Sequence, residues 1–206
     1  MTGTTFIWDL DGTLLDSYGV IVSSLRQTLA ELPLGEGPEE ILRQVKDGSV
    51  SAFLRQTAER AGLPYRQLKD RYSAISGGRI GEIPAMPHAE EVLRETAALG
   101  AAHFVYTHRG RTTAAVLENL GLRPYFREVV TSLDGFPRKP APDALLYLME
   151  GYRLDRDRVF YVGDRTLDMD CAKNAGVRGI LYSPSGAGSA DYVVRDLLEI
   201  RAIAGR

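Results

Sequence analysis

Two aspartates, Asp9 and Asp11, stand one residue apart where an apolar run ends, in the stretch FIWDLDGTLLDS (6–17). In an extended segment side chains two apart point the same way, so both carboxylates can reach one crevice. Carboxylates that close repel, and a divalent metal or a shared proton relieves the repulsion. Gly12 opens backbone conformations closed to other residues, and Thr13 offers a hydroxyl to a bound oxyanion. On spacing alone the stretch is equally a strand followed by an Asp-Gly turn.

Three further stretches have the same character. In VGDRTLD, Asp164 ends an apolar run and Asp168 follows four residues later, on the same face of a helix that starts there or as its N-terminal cap. In YTHRG (106–110), Thr107 ends another apolar run ahead of a glycine-containing turn; hydroxyl and backbone N–H groups at a helix start bind phosphate, or simply cap the helix. In RKPAPD (138–143), Lys139 is pinned by Pro140 and Pro142 and can neutralise an anion.

The elements that must position these residues follow from the apolar pattern. Short apolar runs at 5–8, 102–107, 128–132, 159–163, 179–183 and 191–194 read as strands, nearly continuous in apolar residues, as when both sheet faces are covered. Helical patterns at 89–100, 112–121, 142–152 and 167–176 separate them, three of them ending in glycine. This alternation predicts an α/β fold with a doubly wound parallel sheet. From about Tyr18 to Ile80 the rhythm breaks: helices near 18–31, 38–47, 49–61 and 65–76 are separated by LPLGEGP (32–38), KDGS (46–49) and GLP (62–64). The expected organisation is a core of residues 1–16 and 82–206 carrying a helical insert of 17–81. Each key residue then falls at a strand's carboxyl end, and in such sheets those ends share one ligand-binding edge. Acids there suit a hard cation such as Mg²⁺, and Mg²⁺ with a hydroxyl and a lysine suits a phosphoryl group.

Composition narrows the class. The chain has 206 residues, 44% hydrophobic and 25% charged, with a net charge of −2, so no basic surplus points to nucleic acid or an anionic membrane. One cysteine, Cys171, excludes a disulfide framework and reads as inert packing. No run approaches a membrane span and MTGTTFIWD has no signal-peptide pattern, so a cytoplasmic enzyme or binding protein is expected.

With these motifs in place, the sequence resembles a haloacid dehalogenase (HAD) superfamily phosphohydrolase, of the phosphoglycolate phosphatase and β-phosphoglucomutase branch. DLDGTLLDS, the threonine of YTHRG, RKPAPD and GDRTLDMDCAKNAG match four motifs in order and spacing, and ADYVVRDLLEI (190–200) resembles the end of such proteins. The resemblance implies a Rossmann-like core with a C1-type helical cap. It also implies a Mg²⁺-dependent phosphatase acting on a small phosphorylated metabolite. By position, Asp9 becomes the nucleophile and Asp11 the general acid and base. Mg²⁺ is held by Asp9, the Asp11 carbonyl and Asp164, with Asp168 close by or bridged by water. Thr107 and Lys139 hold the phosphoryl group, while Gly12, Thr13, His108 and Arg109 are substrate-binding candidates.

Two departures stand out. His108 and Arg109 replace the asparagine that many relatives have after the motif-two hydroxyl, and Arg165 follows Asp164 where serine is frequent. In the insert, Arg26, Arg43 and Lys46 are the basic candidates for substrate contact, though each reads more readily as part of a solvated helix face. His103 reads as a packed core histidine and His88 as a helix-start residue. A phosphosugar mutase of the same fold and a non-catalytic binding protein are the alternative functions.

Overall fold

The computed structural model describes residues 3–32 and 36–204, so the expected break at 32–38 lies partly outside the described residues. Six strands, β1 (Thr5–Trp8), β2 (Ala102–Tyr106), β3 (Phe126–Val130), β4 (Val159–Gly163), β5 (Arg178–Tyr182) and β6 (Tyr192–Val194), form one sheet in the order β3-β2-β1-β4-β5-β6. All five pairings are parallel. The helices are α1 (Tyr18–Leu29), α2 (Pro38–Asp47), α3 (Val50–Ala61), α4 (Tyr65–Gly77), α5 (Ala89–Ala98), α6 (Thr113–Asn119), α7 (Asp143–Tyr152), α8 (Thr166–Ala175) and the short α9 (Arg201–Ala204).

The chain packs as two compact units: one runs up to Asp16 and resumes at Pro84, and the other is Ser17–Ile83. In the first, β1 sits at the centre of the sheet and all four of its residues are buried. Its alternation divides the core. Ile7 faces a layer built from Phe104, Tyr106, Tyr161 and the inner sides of α7 and α8 (Leu145, Leu148, Ala172). Phe6 and Trp8 face the other way, into an aromatic cluster with His103 and Phe160. The chain leaves and re-enters this unit side by side: the Asp16 N–H donates to Pro84 O, the Met86 N–H donates to Leu14 O, and Leu15 bridges Ala85 antiparallel.

The second unit is α1–α4 around Leu25, Ile41, Phe53, Leu54 and Leu68. Two of its three candidate cations have local partners. Arg43 pairs with Glu40 at 2.6 Å and Asp47 at 3.5 Å on its own helix, and Lys46 lies 4.6 Å from the Tyr18 ring centroid. Arg26 is exposed in the last turn of α1.

Several boundaries differ from expectation. The third strand starts at Phe126, two residues early, because Arg127 and Glu128 lie on an edge strand where charges meet solvent. It stops at Val130 because the Asp134 carboxylate takes the N–H and hydroxyl of Thr131 and turns the chain. Helix α6 is also shorter than the expected 112–121.

His103 is a core residue, as its strand position implied. Its Nδ1 accepts from the Trp8 indole at 3.1 Å, and Nε2 lies 3.2 Å from Thr96 Oγ1, whose own hydroxyl donates to Val92 O. The ring therefore carries its proton on Nε2. Burial pushes its pKa down from 6.5 to about 4. The unfolded chain takes up this proton near pH 6.5 and the folded chain only near 4, so His103's contribution is complete above pH 6.5 and drains away as pH falls to 4. His103→Gln keeps an acceptor and a donor without titrating. Denaturant unfolding of both proteins should show the wild type losing on the order of 1–3 kcal/mol relative to the variant over that interval; parallel pH curves would show that His103 is not held neutral.

Candidate active site

The strand order places a switch point between β1 and β4, because the chain winds outward from β1 on one side and from β4 on the other. The Asp9 N–H donates to Val162 O at 2.8 Å, so the carboxyl ends of these strands stay in register one residue past β1. Asp9 and Asp164 therefore flank the switch point. Beyond Asp9 the backbone folds into a tight loop in which Leu10 O accepts from the N–H groups of Thr13, Leu14 and Leu15. Gly12 sits at φ 85°, a conformation that a side chain disfavours.

Lys139 is the centre of the site. Its side chain is fully buried, and Nζ lies 2.8 Å from Asp9 Oδ1 and 2.8 Å from Asp168 Oδ1. The rings of Tyr106 and Tyr161 face the same ammonium at 5.1 and 5.2 Å. Burial acts against the charged lysine, but Asp168 and then Asp9 outweigh it, and the Lys139 pKa rises. Burial pushes Asp9 up to about 7, with Lys139 opposing and Asp168 adding. Asp9 Oδ2 is buried and has no hydrogen-bond partner among the described residues.

Asp168 is the third fixed charge. Oδ1 takes Lys139 Nζ and the Tyr161 hydroxyl at 3.3 Å, while Oδ2 accepts the Arg165 N–H at 3.2 Å at the start of α8. One oxygen thus meets the Lys139 ammonium while the other holds the backbone at the start of α8. Gly163 makes room for this: a Cβ there would lie 2.4 Å from the Asp168 side chain. The Arg165 side chain is 13% exposed, with Nε 3.9 Å from Asp168 Oδ2.

One carboxylate oxygen from each of Asp9, Asp164 and Asp168 lies within 4.8 Å of the other two. This all-oxygen donor set, with the buried Asp9 Oδ2 among it, fits a hard divalent cation. Two of these carboxylates meet the Lys139 ammonium and Arg165 lies near Asp168, so three acids against two cations still leave negative charge for a metal ion to offset.

The second-motif residues come to the same edge. Thr107 is buried; its N–H donates to Val130 O, and its Oγ1 accepts from the Arg109 N–H at 3.1 Å. The Arg109 guanidinium reaches Asp11 Oδ1 from Nε at 3.2 Å and from Nη2 at 2.5 Å. His108 Nε2 accepts the Lys139 backbone N–H at 2.9 Å, and burial followed by Lys139 pushes the ring down to about 2. Thr13 is fully buried with an unpartnered Oγ1 among the described residues. Cys171 is buried, donates to Ala141 O and is pushed up to about 12 by burial, which makes it a packing residue.

Sequence reasoning missed the two tyrosines. Both occupy inward positions on strands whose next residues are in the site, and a buried phenol needs a hydrogen-bond partner; Tyr161 donates to Tyr106 O or Asp168, and Tyr106 to Pro137 O.

Residues 6–182 match the family model of haloacid dehalogenase-like hydrolases. The chain belongs to this family. Among curated proteins it is 29% identical to phosphoglycolate phosphatase of Vibrio parahaemolyticus, covering 96% of this chain and 95% of that one. It is 26% identical to a pyrophosphatase of Oceanobacillus iheyensis, covering 100% and 98%. A solved structure from Haemophilus somnus, described as a predicted phosphoglycolate phosphatase, superposes with a TM-score of 0.86 at 20% identity over 98% of both chains, which shows the shared fold. For this hydrolase-family member the parallel six-stranded sheet is thus the common scaffold, and at its edge His108, Arg109 and Arg165 contact Lys139, Asp11 and Asp168.

The Lys139 N–H to His108 bond predicts a distinct mutational pattern. His108→Leu removes the acceptor and should cost about 1–3 kcal/mol in denaturant unfolding, and His108→Asn, which restores an acceptor, should recover part of it. Wild-type stability in His108→Leu would show that the bond contributes nothing.

Proposed function

We propose that this chain is a Mg²⁺-dependent phosphatase that hydrolyses a small phosphorylated metabolite through an aspartyl-phosphate on Asp9. The observation that supports this most is the state of Asp9: Oδ1 is fixed by a buried ammonium, while Oδ2 is buried with no hydrogen-bond partner among the described residues. A carboxylate held in this way is oriented for attack.

The chain's own groups divide the work. An Asp9 carboxylate oxygen forms a bond to phosphorus. The bond from phosphorus to the ester oxygen breaks, its electron pair goes to that oxygen, and Asp11 supplies the proton. Asp11 then takes a proton from water as the water oxygen attacks the aspartyl-phosphate, which releases phosphate and restores Asp9. Lys139 spends two of its three N–H groups on Asp9 and Asp168 and has one for a phosphoryl oxygen. Thr107 Oγ1 accepts from Arg109 and can donate its own proton to another. Asp9, Asp164 and the Asp11 carbonyl are the groups assigned to hold Mg²⁺, with Asp168 behind them as partner of Lys139. Bound there, the ion supplies positive charge that lowers the repulsion between Asp9 and the phosphate dianion.

The relatives' names suggest the substrate class. Phosphoglycolate and pyrophosphate share one feature: the group that leaves phosphorus carries negative charge of its own. We assign this chain a small ester or anhydride of that kind. We also assign the helical unit Ser17–Ile83 the role of a cap that sets specificity, and a cytoplasmic setting fits such a substrate.

Asp9→Asn removes the nucleophilic oxygen without changing shape. Phosphate release from p-nitrophenyl phosphate with Mg²⁺ should fall by at least about 10³-fold, with thermal unfolding still cooperative. Undiminished turnover in this variant would end the mechanism.

A further inference from the structure

Lys139 carries the charge that fixes Asp9, yet it lies on a segment with no helix or strand, between β3 and α7. Pro137, Pro140 and Pro142 have no N–H to give, and within the segment the Ala141 N–H donates to Arg138 O. Side chains hold the rest. The Tyr106 hydroxyl donates to Pro137 O at 3.1 Å, and His108 Nε2 accepts the Lys139 N–H at 2.9 Å. The Asn174 amide donates to Pro140 O at 2.9 Å, and the Cys171 thiol donates to Ala141 O at 3.3 Å. These four ties, two from the end of β2 and two from α8, anchor the main chain around Lys139.

An anchored main chain does not fix the ammonium, which ends a flexible four-carbon stem. Two carboxylate oxygens at 2.8 Å and the rings of Tyr106 and Tyr161 at 5.1 and 5.2 Å do so. An aromatic face attracts a cation through its quadrupole, without the lone pair that would draw an N–H away from a carboxylate. The Tyr106 ring is itself held: its hydroxyl is tied to Pro137 O, His108 packs against it at 5.9 Å and 82°, and Tyr161 stacks on it at 6.2 Å and 30°. The two tyrosines differ in one respect. The Tyr161 hydroxyl lies 3.3 Å from Asp168 Oδ1, so a change there also reaches a carboxylate; the Tyr106 hydroxyl bonds a backbone carbonyl, so its ring can be altered on its own.

We propose that Tyr106 is a positioning residue for phosphoryl transfer, its ring face holding the Lys139 ammonium against Asp9. The proposal rests on the phosphatase reading above. Loss of the hydroxyl removes one of four ties and leaves the segment anchored by the other three. Loss of the ring removes one of two faces and lets the ammonium shift away from Asp9. Misplacing a group at a reacting centre by 1 Å costs on the order of 10²-fold in rate.

The kcat for p-nitrophenyl phosphate with Mg²⁺ tests it in three forms of position 106. Tyr106→Leu should lower kcat by about 10–100-fold, and Tyr106→Phe, which keeps the ring and loses the hydroxyl, should recover all but about threefold of it. Trifluorophenylalanine at position 106 keeps the shape of phenylalanine but draws electron density from the ring face, and should turn over at least about threefold more slowly than Tyr106→Phe. Equal losses in Tyr106→Leu and Tyr106→Phe would assign the effect to the Pro137 tie. Full turnover in Tyr106→Leu would remove the effect, and a trifluoro form as fast as Tyr106→Phe would reduce it to packing. Each of these results overturns the proposal and leaves the phosphatase reading standing. If Tyr106→Leu loses its circular dichroism, the trifluoro form against Tyr106→Phe decides alone, by the same threshold of about threefold. No Mg²⁺-dependent phosphate release by the wild type ends the phosphatase reading, and the proposal with it.

Discussion

A buried lysine between two buried aspartates is the interaction on which the rest of this site depends. Lys139 can keep its charge in the interior only because Asp9 and Asp168 each place an oxygen at 2.8 Å. The carboxylates tolerate one another only because the ammonium stands between them. Removing one member of such a set leaves uncompensated buried charge, on the order of 3–5 kcal/mol. The requirement binds three distant parts of the chain: the end of β1, the loop before α7, and the first turn of α8. Tyr161 ties the set to the sheet through its bond to Asp168, and His108 ties it to the second motif through the Lys139 N–H.

The sheet order explains why these parts can meet. Strands β1 and β4 are neighbours at the switch point, so residues about 155 positions apart in sequence emerge side by side. The sequence between β1 and β2 carries a separate four-helix unit with its own apolar core, and the Leu15–Ala85 bridge joins the chain's exit to its return. A long insertion at that point leaves the geometry of the edge intact, because the chain's exit and return are hydrogen-bonded within the sheet unit.

Much of this is legible in the amino-acid order. The apolar runs fall on the six strands, and the placing of Asp9 and Asp164 just beyond strand ends follows from where those runs stop, whereas Thr107, expected as the last residue of its strand, lies one residue past β2. What is not legible is which side chain meets which. Asp168 reads as either cap or site residue, and only the fold reveals that one of its oxygens meets Lys139 while the other accepts the Arg165 N–H. His108 and Arg109 look like free polar groups near a ligand; in the fold one accepts a backbone N–H and the other binds Asp11, contacts set by loop paths that local pattern does not encode. Arg43 looks available and is held by acids one turn away on either side, a pairing visible in the helical spacing once α2 is in register. The third strand begins early because edge position, a property of the whole sheet, overrides the polar look of Arg127 and Glu128.

The central claim is that this buried charge set presents Asp9, and no other residue, to phosphorus. Rapid acid quenching of the enzyme during Mg²⁺-dependent turnover, followed by mass spectrometry of its peptides, tests it most directly. The account predicts an acid-stable phosphoryl group on the peptide that carries Asp9, localised to Asp9 by fragmentation and absent from Asp9→Asn. A phosphoryl group on a different residue, or turnover with no phosphorylated peptide when the second step is slowed, would contradict it.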